Sequence, residues 1–338
     1  MNRRHRLLTA AGGSALALLL GACGGGGGDD SGGDGSAEGY PRTVENCEHE
    51  ITFDKRPERI VTLAQPQTSA IVALGAEDLI VGQAQQAPVD DLPGSTDPEY
   101  AGEDVPVITK DGIPTREVTL SQEADLVLVP TTLEFSEAEG YATQEDLEKA
   151  GAVPYLAAGG CSEHRLDRSV EDPVVDIRTY GEILGLEDEA EELASDYEAG
   201  LKDVADSLEG VEPVKVAEVF VWGDDIQSLA GSTETDLIKA AGGENIFASD
   251  DPHFDGQLFA SLSAEVVAAE EPEAFVFAAG SEKAAEEVKE TLRKTFPTTP
   301  AVKNDRLIAY SSTASLPGSL TTLDAVKGVA AQLHPDAF

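Results

Sequence analysis

The segment PERIVTLAQPQTSAIVALGAEDLIVGQ, residues 57–83, changes its hydrophobic period twice. ERIVTLA (58–64) is an apolar, β-branched run that reads as a buried strand. TSAIVALGA (68–76) reads as a helix ending at Gly75, and DLIVGQ (78–83) as the next strand. A strand, a helix and a second strand in one short stretch form a crossover unit, which places the two strands parallel in one sheet. The pattern continues outward. EVTLSQEADLVLVP (117–130) predicts a short helix around Leu120 and a strand at 125–129 stopped by Pro130, and QEDLEKAGAVPYLA (144–157) predicts a helix, a glycine stop and another strand. The expected fold is therefore α/β with a mostly parallel, doubly wound sheet.

From Val170 to Leu208 the period becomes helical for much longer, interrupted at Gly185, which predicts one helix before that glycine and a longer one over about 187–208. A second alternating unit follows: VKVAEVFVW (214–222), ETDLIKAAGGENIF (234–247), SLSAEVVAAEEPEAFVFAAG (261–280), a charged helix over 282–294, the strand RLIAYS (306–311) and a closing helix over 323–333. No short repeat array is evident. The expected organisation is a lobe over 43–169, a helical connector over 170–210 and a second lobe over 211–338.

The N-terminal residues read as an export signal. Arg3, Arg4 and Arg6 precede an apolar run from Leu7 to Leu20 that is short for a bilayer span. Leu20, Gly21, Ala22 and Cys23 resemble a bacterial lipobox, so residues 1–23 are expected to be a lipoprotein signal with Cys23 as the lipid-modified residue. Residues 24–42, rich in Gly, Asp and Ser, read as a flexible tether. The expected location is the extracellular face of the cell membrane.

The 64 acidic against 23 basic residues give a formal net charge of −41, a field that repels nucleic acid and anionic lipid surfaces. No calcium loop of the D-x-[DN]-x-[DN]-G type occurs. With Cys23 assigned, Cys47 and Cys161 remain, a pair that fits one disulfide in an exported protein. Nearby His49 and His164 leave a tetrahedral zinc site of two Cys and two His as the alternative.

The segments at 57–83, 117–130, 176–197, 235–247 and 261–277, together with the terminal LHPDAF (333–338), resemble the periplasmic-binding-protein family of iron-siderophore and cobalamin importers, and TVENCEHEITF (43–53) is similar to its actinobacterial branch. The resemblance runs from about Thr43 to Phe338. It implies a monomeric solute-binding lipoprotein with two α/β lobes joined by one rigid helix, holding a ferric siderophore between them for an importer permease and its ATPase. Cobalamin, haem or another large cofactor is the alternative cargo; no intrinsic cofactor is implied. In the family each lobe presents an acid to the permease. Asp236 matches the second-lobe position, whereas the first-lobe position is Ser69, with Glu77 or Asp78 as the nearby substitute.

Ligands of open α/β sheets bind beyond the carboxyl ends of the strands. That rule nominates Gln65 and Gln67 after the first strand, Gln83, Gln85 and Gln86 after the second, Thr109, Lys110 and Arg116 in the next loop, and Thr131 and Thr132 after Pro130. In the second lobe it nominates Trp222, Phe254, Gln257 and Tyr310, whose aromatic faces suit a chelate or macrocycle. Arg165 and Arg168 stand at the approach to the connector. The scarcity of cations favours a neutral or cationic ligand such as a hydroxamate. Three other classes are disfavoured. Enzyme signatures such as G-x-S-x-G, H-E-x-x-H and the P-loop do not occur. A zinc or manganese binder would depend on His253 with carboxylates, since His334 is C-terminal. A structural or adhesive lipoprotein would have no ligand-sized cleft.

Overall fold

The structure, a computed structural model, describes residues 39–162, 167–222 and 225–338. The signal segment, Cys23 and most of the tether lie outside the described residues, as do His164 and Arg165.

The chain opens with a hairpin of β1 (Arg42–Asn46) and β2 (His49–Phe53), turned by Cys47 and Glu48, which both take positive φ (47° and 62°) as a two-residue hairpin turn requires. Tyr40 and Arg42, read from sequence as tether, are already docked. The Tyr40 hydroxyl donates to the Ile183 carbonyl at 2.6 Å, and Arg42 pairs with Glu187. An aromatic ring with a hydroxyl that can reach a buried carbonyl gains more by packing than by staying in the tether.

The first sheet is all parallel, in the order β4-β3-β5-β6, from β3 (Ile60–Thr62), β4 (Ile80–Gln83), β5 (Leu126–Val129) and β6 (Val153–Leu156). Helix α1 (Gln65–Ala73) crosses from β3 to β4, and α2 (Arg116–Leu120) and α3 (Gln144–Lys149) precede β5 and β6. Every residue of β3 and β5 is buried, as in a parallel sheet covered on both faces. Beside edge strand β6, Asn46 stands in for a neighbouring strand: its Nδ2 donates to the Leu156 carbonyl at 2.6 Å and its Oδ1 accepts from the Leu156 amide at 3.1 Å.

Two helices connect the sheets. Helix α4 (Asp172–Leu184) stops at Gly185 and packs on α5 (Glu187–Ser207). The 21 residues of α5 extend for about 31 Å. Ala190, Ala194 and Tyr197 of α5 enter the first lobe's core, while Val204 enters the second's, so this one helix belongs to both.

The second sheet runs β10-β8-β7-β11-β12, with β9 beside the first half of β7. Its strands are β7 (Val214–Trp222), β8 (Asp225–Leu229), β9 (Gly243–Asn245), β10 (Phe259–Ala260), β11 (Ala274–Ala279) and β12 (Leu307–Ser311). Between them lie α6 (Thr233–Ala240), α7 (Ala264–Ala269), α8 (Glu282–Thr295) and α9 (Pro300–Lys303), and α10 (Thr322–Leu333) closes the fold. Strands β9, β7, β11 and β12 are parallel, as expected; β8 and β10 are antiparallel additions that the sequence pattern did not announce. No helix among the described residues is long and apolar enough to cross a membrane.

Cys47 and Cys161 form a disulfide with their Cα atoms 5.4 Å apart. It ties the hairpin tip to the loop after β6 and engages both thiols that the zinc alternative needed.

Candidate functional site

The carboxyl ends of the first-lobe strands are joined by one polar network. Gln85, held at φ 47°, donates from Nε2 to the Leu63 carbonyl after β3 at 2.6 Å and to Glu134 Oε1 at 3.3 Å. Glu134 is buried, and its Oε2 accepts from the Thr131 amide at 3.1 Å and the Thr131 hydroxyl at 2.7 Å, just past β5. Gln65 Oε1 accepts from the Ala87 amide at 3.4 Å. The structure therefore joins Gln85 to Thr131 through Glu134, which the sequence reading passed over, while Gln65 bonds separately to Ala87, Ser69 and Ala101. The signal was present, because Thr131 and Glu134 have the spacing of a capping box.

The other first-lobe candidates take different places. Gln65 and Gln67 sit in the first turn of α1 rather than in a loop, and both are buried. Gln83 is fully buried and donates to the carbonyls of Gly102 (2.7 Å) and Val105 (3.2 Å), which fixes the following loop. Lys110 is exposed, and its carbonyl accepts from the Gln86 amide at 3.1 Å. Arg116 is half exposed and paired with a carboxylate. Its guanidinium grips Asp146 through two hydrogen bonds of 2.8 and 2.7 Å, and that contact holds the Asp146 carboxyl well below the usual carboxylate range. Two of the guanidinium's donors are thereby engaged by the protein itself.

Two of the second-lobe candidates are buried. Phe254 is 1% exposed and packs beside Phe247, with ring centroids 6.1 Å apart. Tyr310, also 1% exposed, lies in β12, where every residue is buried. Both are core residues because the layers around the sheet cover them. Gln257 is exposed in a turn, its amide bonded to the Phe254 carbonyl at 2.8 Å. Trp222 closes β7 opposite Asp225 in the ladder; its side chain lies outside what the structure describes.

Two exposed aromatic residues lie in strands, Phe220 in β7 and Phe259 in β10. They are 39% and 42% exposed, with ring centroids 5.8 Å apart and planes at 66°. Gln227 faces Phe220 across the β7–β8 ladder and donates to Asp225 Oδ2 at 3.1 Å. Three more large apolar side chains stand exposed in loops that follow strand ends: Val89 after β4, Leu133 after β5 and Leu316 after β12. Val107, Val118, Val175, Val211 and Phe338 are also exposed, so such groups are spread over the surface, with Val89, Leu133 and Leu316 the ones in loops that follow strands.

A different groove, of about 660 Å³, runs along the outer edges of β2 and β6 and includes His49, Glu50, Glu148 and Pro154. It also takes in Thr132 after β5 and Leu156 and Ser162 at the carboxyl end of β6, so it reaches the end of the sheet where parallel strands bind ligands. Among the described residues no group of three His, Cys, Asp or Glu side chains is placed to hold a metal ion, and His253 bonds Asp251 at 2.7 Å on the surface. Asp236 Oδ2 accepts from the Ser169 hydroxyl and the Val170 amide, both at 2.9 Å, pinning the entry to α4 against α6. Glu77 is exposed in the turn after α1.

Two α/β lobes sharing one long helix are the architecture of a bilobal solute-binding protein. A family model described as "Periplasmic binding protein" matches residues 60–314, and the chain belongs to that family. Among solved structures, a periplasmic binding protein from Veillonella parvula superposes with a TM-score of 0.73 at 20% identity, covering 87% of this chain and 97% of the other. One described as an ABC-type Fe3+-hydroxamate transport system, from Saccharomonospora viridis, gives 0.68 at 22% identity, covering 87% and 99%. A curated cobalamin-binding protein of Halobacterium salinarum is 24% identical over 226 residues, 67% of this chain but only 55% of that protein's length.

Proposed function

We propose that this chain is the solute-binding lipoprotein of an ABC importer, anchored through Cys23 at the outer face of the cell membrane, that captures a ferric siderophore and delivers it to a permease. The observation that carries this reading is the Gln85–Glu134–Thr131 network at the carboxyl ends of the first-lobe strands, with Leu133 exposed beside it and Leu316 exposed in the loop after β12. Apolar walls with a few fixed polar groups suit a bulky chelate whose metal is already enclosed by its own ligands. The commitment of Arg116 to Asp146 supports a neutral or cationic chelate of the hydroxamate type over a strongly anionic one. Glu77 and Asp236 are the proposed contacts to permease arginines, with Asp236 offering its Oδ1 while Oδ2 stays bonded to the connector.

Cobalamin is the second reading, favoured by the likeness to the cobalamin-binding protein of Halobacterium salinarum. Titration of the purified protein with a ferric hydroxamate and with cobalamin, followed by calorimetry, tests both. Mass spectrometry of membrane-extracted protein tests the anchor: the lipid should be present on the wild type and absent from Cys23→Ala.

A further inference from the structure

The tetrapeptide Leu-Pro-Gly-Ser occurs at 92–95, in the loop that leaves β4 of the first lobe, and again at 316–319, in the loop that leaves β12 of the second. Both copies fold alike. Ser95 N donates to the Leu92 carbonyl at 3.0 Å and Ser319 N to the Leu316 carbonyl at 3.2 Å, with Gly94 at φ 78° and Gly318 at φ 79°. Proline at the second position and a positive-φ glycine at the third are the marks of a type II turn.

Each turn is seated in the opposite lobe. The Pro93 carbonyl accepts from the Ser311 amide of β12 at 2.8 Å, and the Pro317 carbonyl accepts from Gln67 Nε2 of α1 at 3.0 Å. The glycines fill notches with no room for a side chain. A Cβ on Gly94 would lie 2.7 Å from the Cβ atoms of both Ala314 and Ala325. On Gly318 it would lie 2.9 Å from Gln67 Nε2 and 3.2 Å from Asp176 Oδ2.

The two seats differ in chemistry. The first is apolar: Leu92 packs on the second lobe's core, and Pro93 lies so close to Gly328 of α10 that a Cβ there would be 2.4 Å from its ring. The second is polar and incompletely bonded, since Gln67 Oε1, Asp176 Oδ2 and Tyr180 OH are buried without a hydrogen-bond partner. Opening the first seat would expose packed apolar surface. Opening the second would let water reach buried polar groups that are left without a partner when it is shut.

We infer that the two Leu-Pro-Gly-Ser turns form a reciprocal clasp between the lobes, in which Pro93–Gly94 is the fixed pivot and Pro317–Gly318 is the latch that releases when the lobes part. The shared helix α5 restrains the same motion, so the opening is a small rotation about the Pro93 side.

Pulsed dipolar spectroscopy on the full-length, ligand-free protein tests this. Nitroxides attached through genetically encoded keto side chains at Glu145 of α3 and Glu287 of α8, both exposed, leave the disulfide untouched. The wild type should give one narrow distance. Gln67→Ala and Gly318→Ala should broaden it or add a second distance, while Gly94→Ala should mainly lower the melting temperature. Gln67→Ala strains no backbone and decides the matter if either glycine variant fails to fold. A folded Gln67→Ala protein that keeps the narrow wild-type distance would overturn the latch.

Discussion

Phe220 and Phe259 meet edge to face, 5.8 Å between ring centroids, and both rings remain about two-fifths exposed. They come from strands that are not neighbours in the sheet, since β8 lies between β7 and β10. Two partly exposed aromatic rings in a well-packed lobe are the proposed contact for an apolar ligand.

Replacing either ring by alanine should weaken ligand binding by about 1–2 kcal/mol, the scale of an aromatic anchor. The melting temperature should change little, because each ring is already partly hydrated. The buried Phe254 should behave in the opposite way. Phe254→Ala should cost about 3–5 kcal/mol of stability, with binding lost only in proportion to unfolding. Calorimetric titration and thermal melts of the three variants separate the cases.

That contrast marks where the sequence stopped being readable. Strand β7 was legible as VKVAEVFVW, and its alternation already turned Phe220 away from buried Val219, although its contact with Phe259 could not be foreseen. Phe259 lies in a two-residue strand whose partner is thirty residues earlier in the chain, a pairing with no local periodicity to announce it. Tyr310 was misplaced for the reverse reason: every residue of LIAYS is buried, so alternation says nothing about which way it faces. The helices and their break at Gly185 were readable because a helical period sustained over many residues leaves little ambiguity.

Asp176 should make stability pH-dependent. It is buried, accepts from the Ala158 amide at 2.9 Å and the Tyr155 hydroxyl at 3.2 Å, and burial raises its pKa to about 7. The titratable groups facing it are Tyr155 from β6 and Asp172 and Tyr180 from α4, none of them a cation. A carboxyl with a raised folded-state pKa binds its proton more tightly when folded. Its contribution to stability is therefore complete below its ordinary pKa of 3.8 and is lost as pH rises through about 7. Asp176→Asn should melt several degrees higher than wild type at pH 8 and nearly the same at pH 4. Equal melting shifts at both pH values would contradict the assignment.

Glu218 in β7 should act in the same direction. It is buried, accepts from Thr235 Oγ1 at 2.6 Å and Asn245 Nδ2 at 3.1 Å, and burial first, then nearby Glu234, raises its pKa to about 8. Glu218→Gln combined with Asp176→Asn should flatten the fall in stability between pH 4 and pH 8, as urea unfolding across that range would show.

Reducing the Cys47–Cys161 bond opens a loop with a sequence separation of 114. The chain-entropy model assigns such a bond about 4–5 kcal/mol. The double variant Cys47→Ser, Cys161→Ser should therefore unfold at lower urea than wild type, and reductant should affect wild type but not the variant. Free-thiol titration of unreduced protein should find neither of these two cysteines reactive.

The most direct measurement is calorimetric titration of the wild type and of Phe259→Ala with a ferric hydroxamate, a ferric catecholate, cobalamin and haem. The account predicts one-to-one binding of the ferric hydroxamate, weakened in Phe259→Ala by about 1–2 kcal/mol, with the anionic catecholate bound less well. Binding of cobalamin with no ferric chelate bound, or a ferric hydroxamate bound equally well by both proteins, would contradict it.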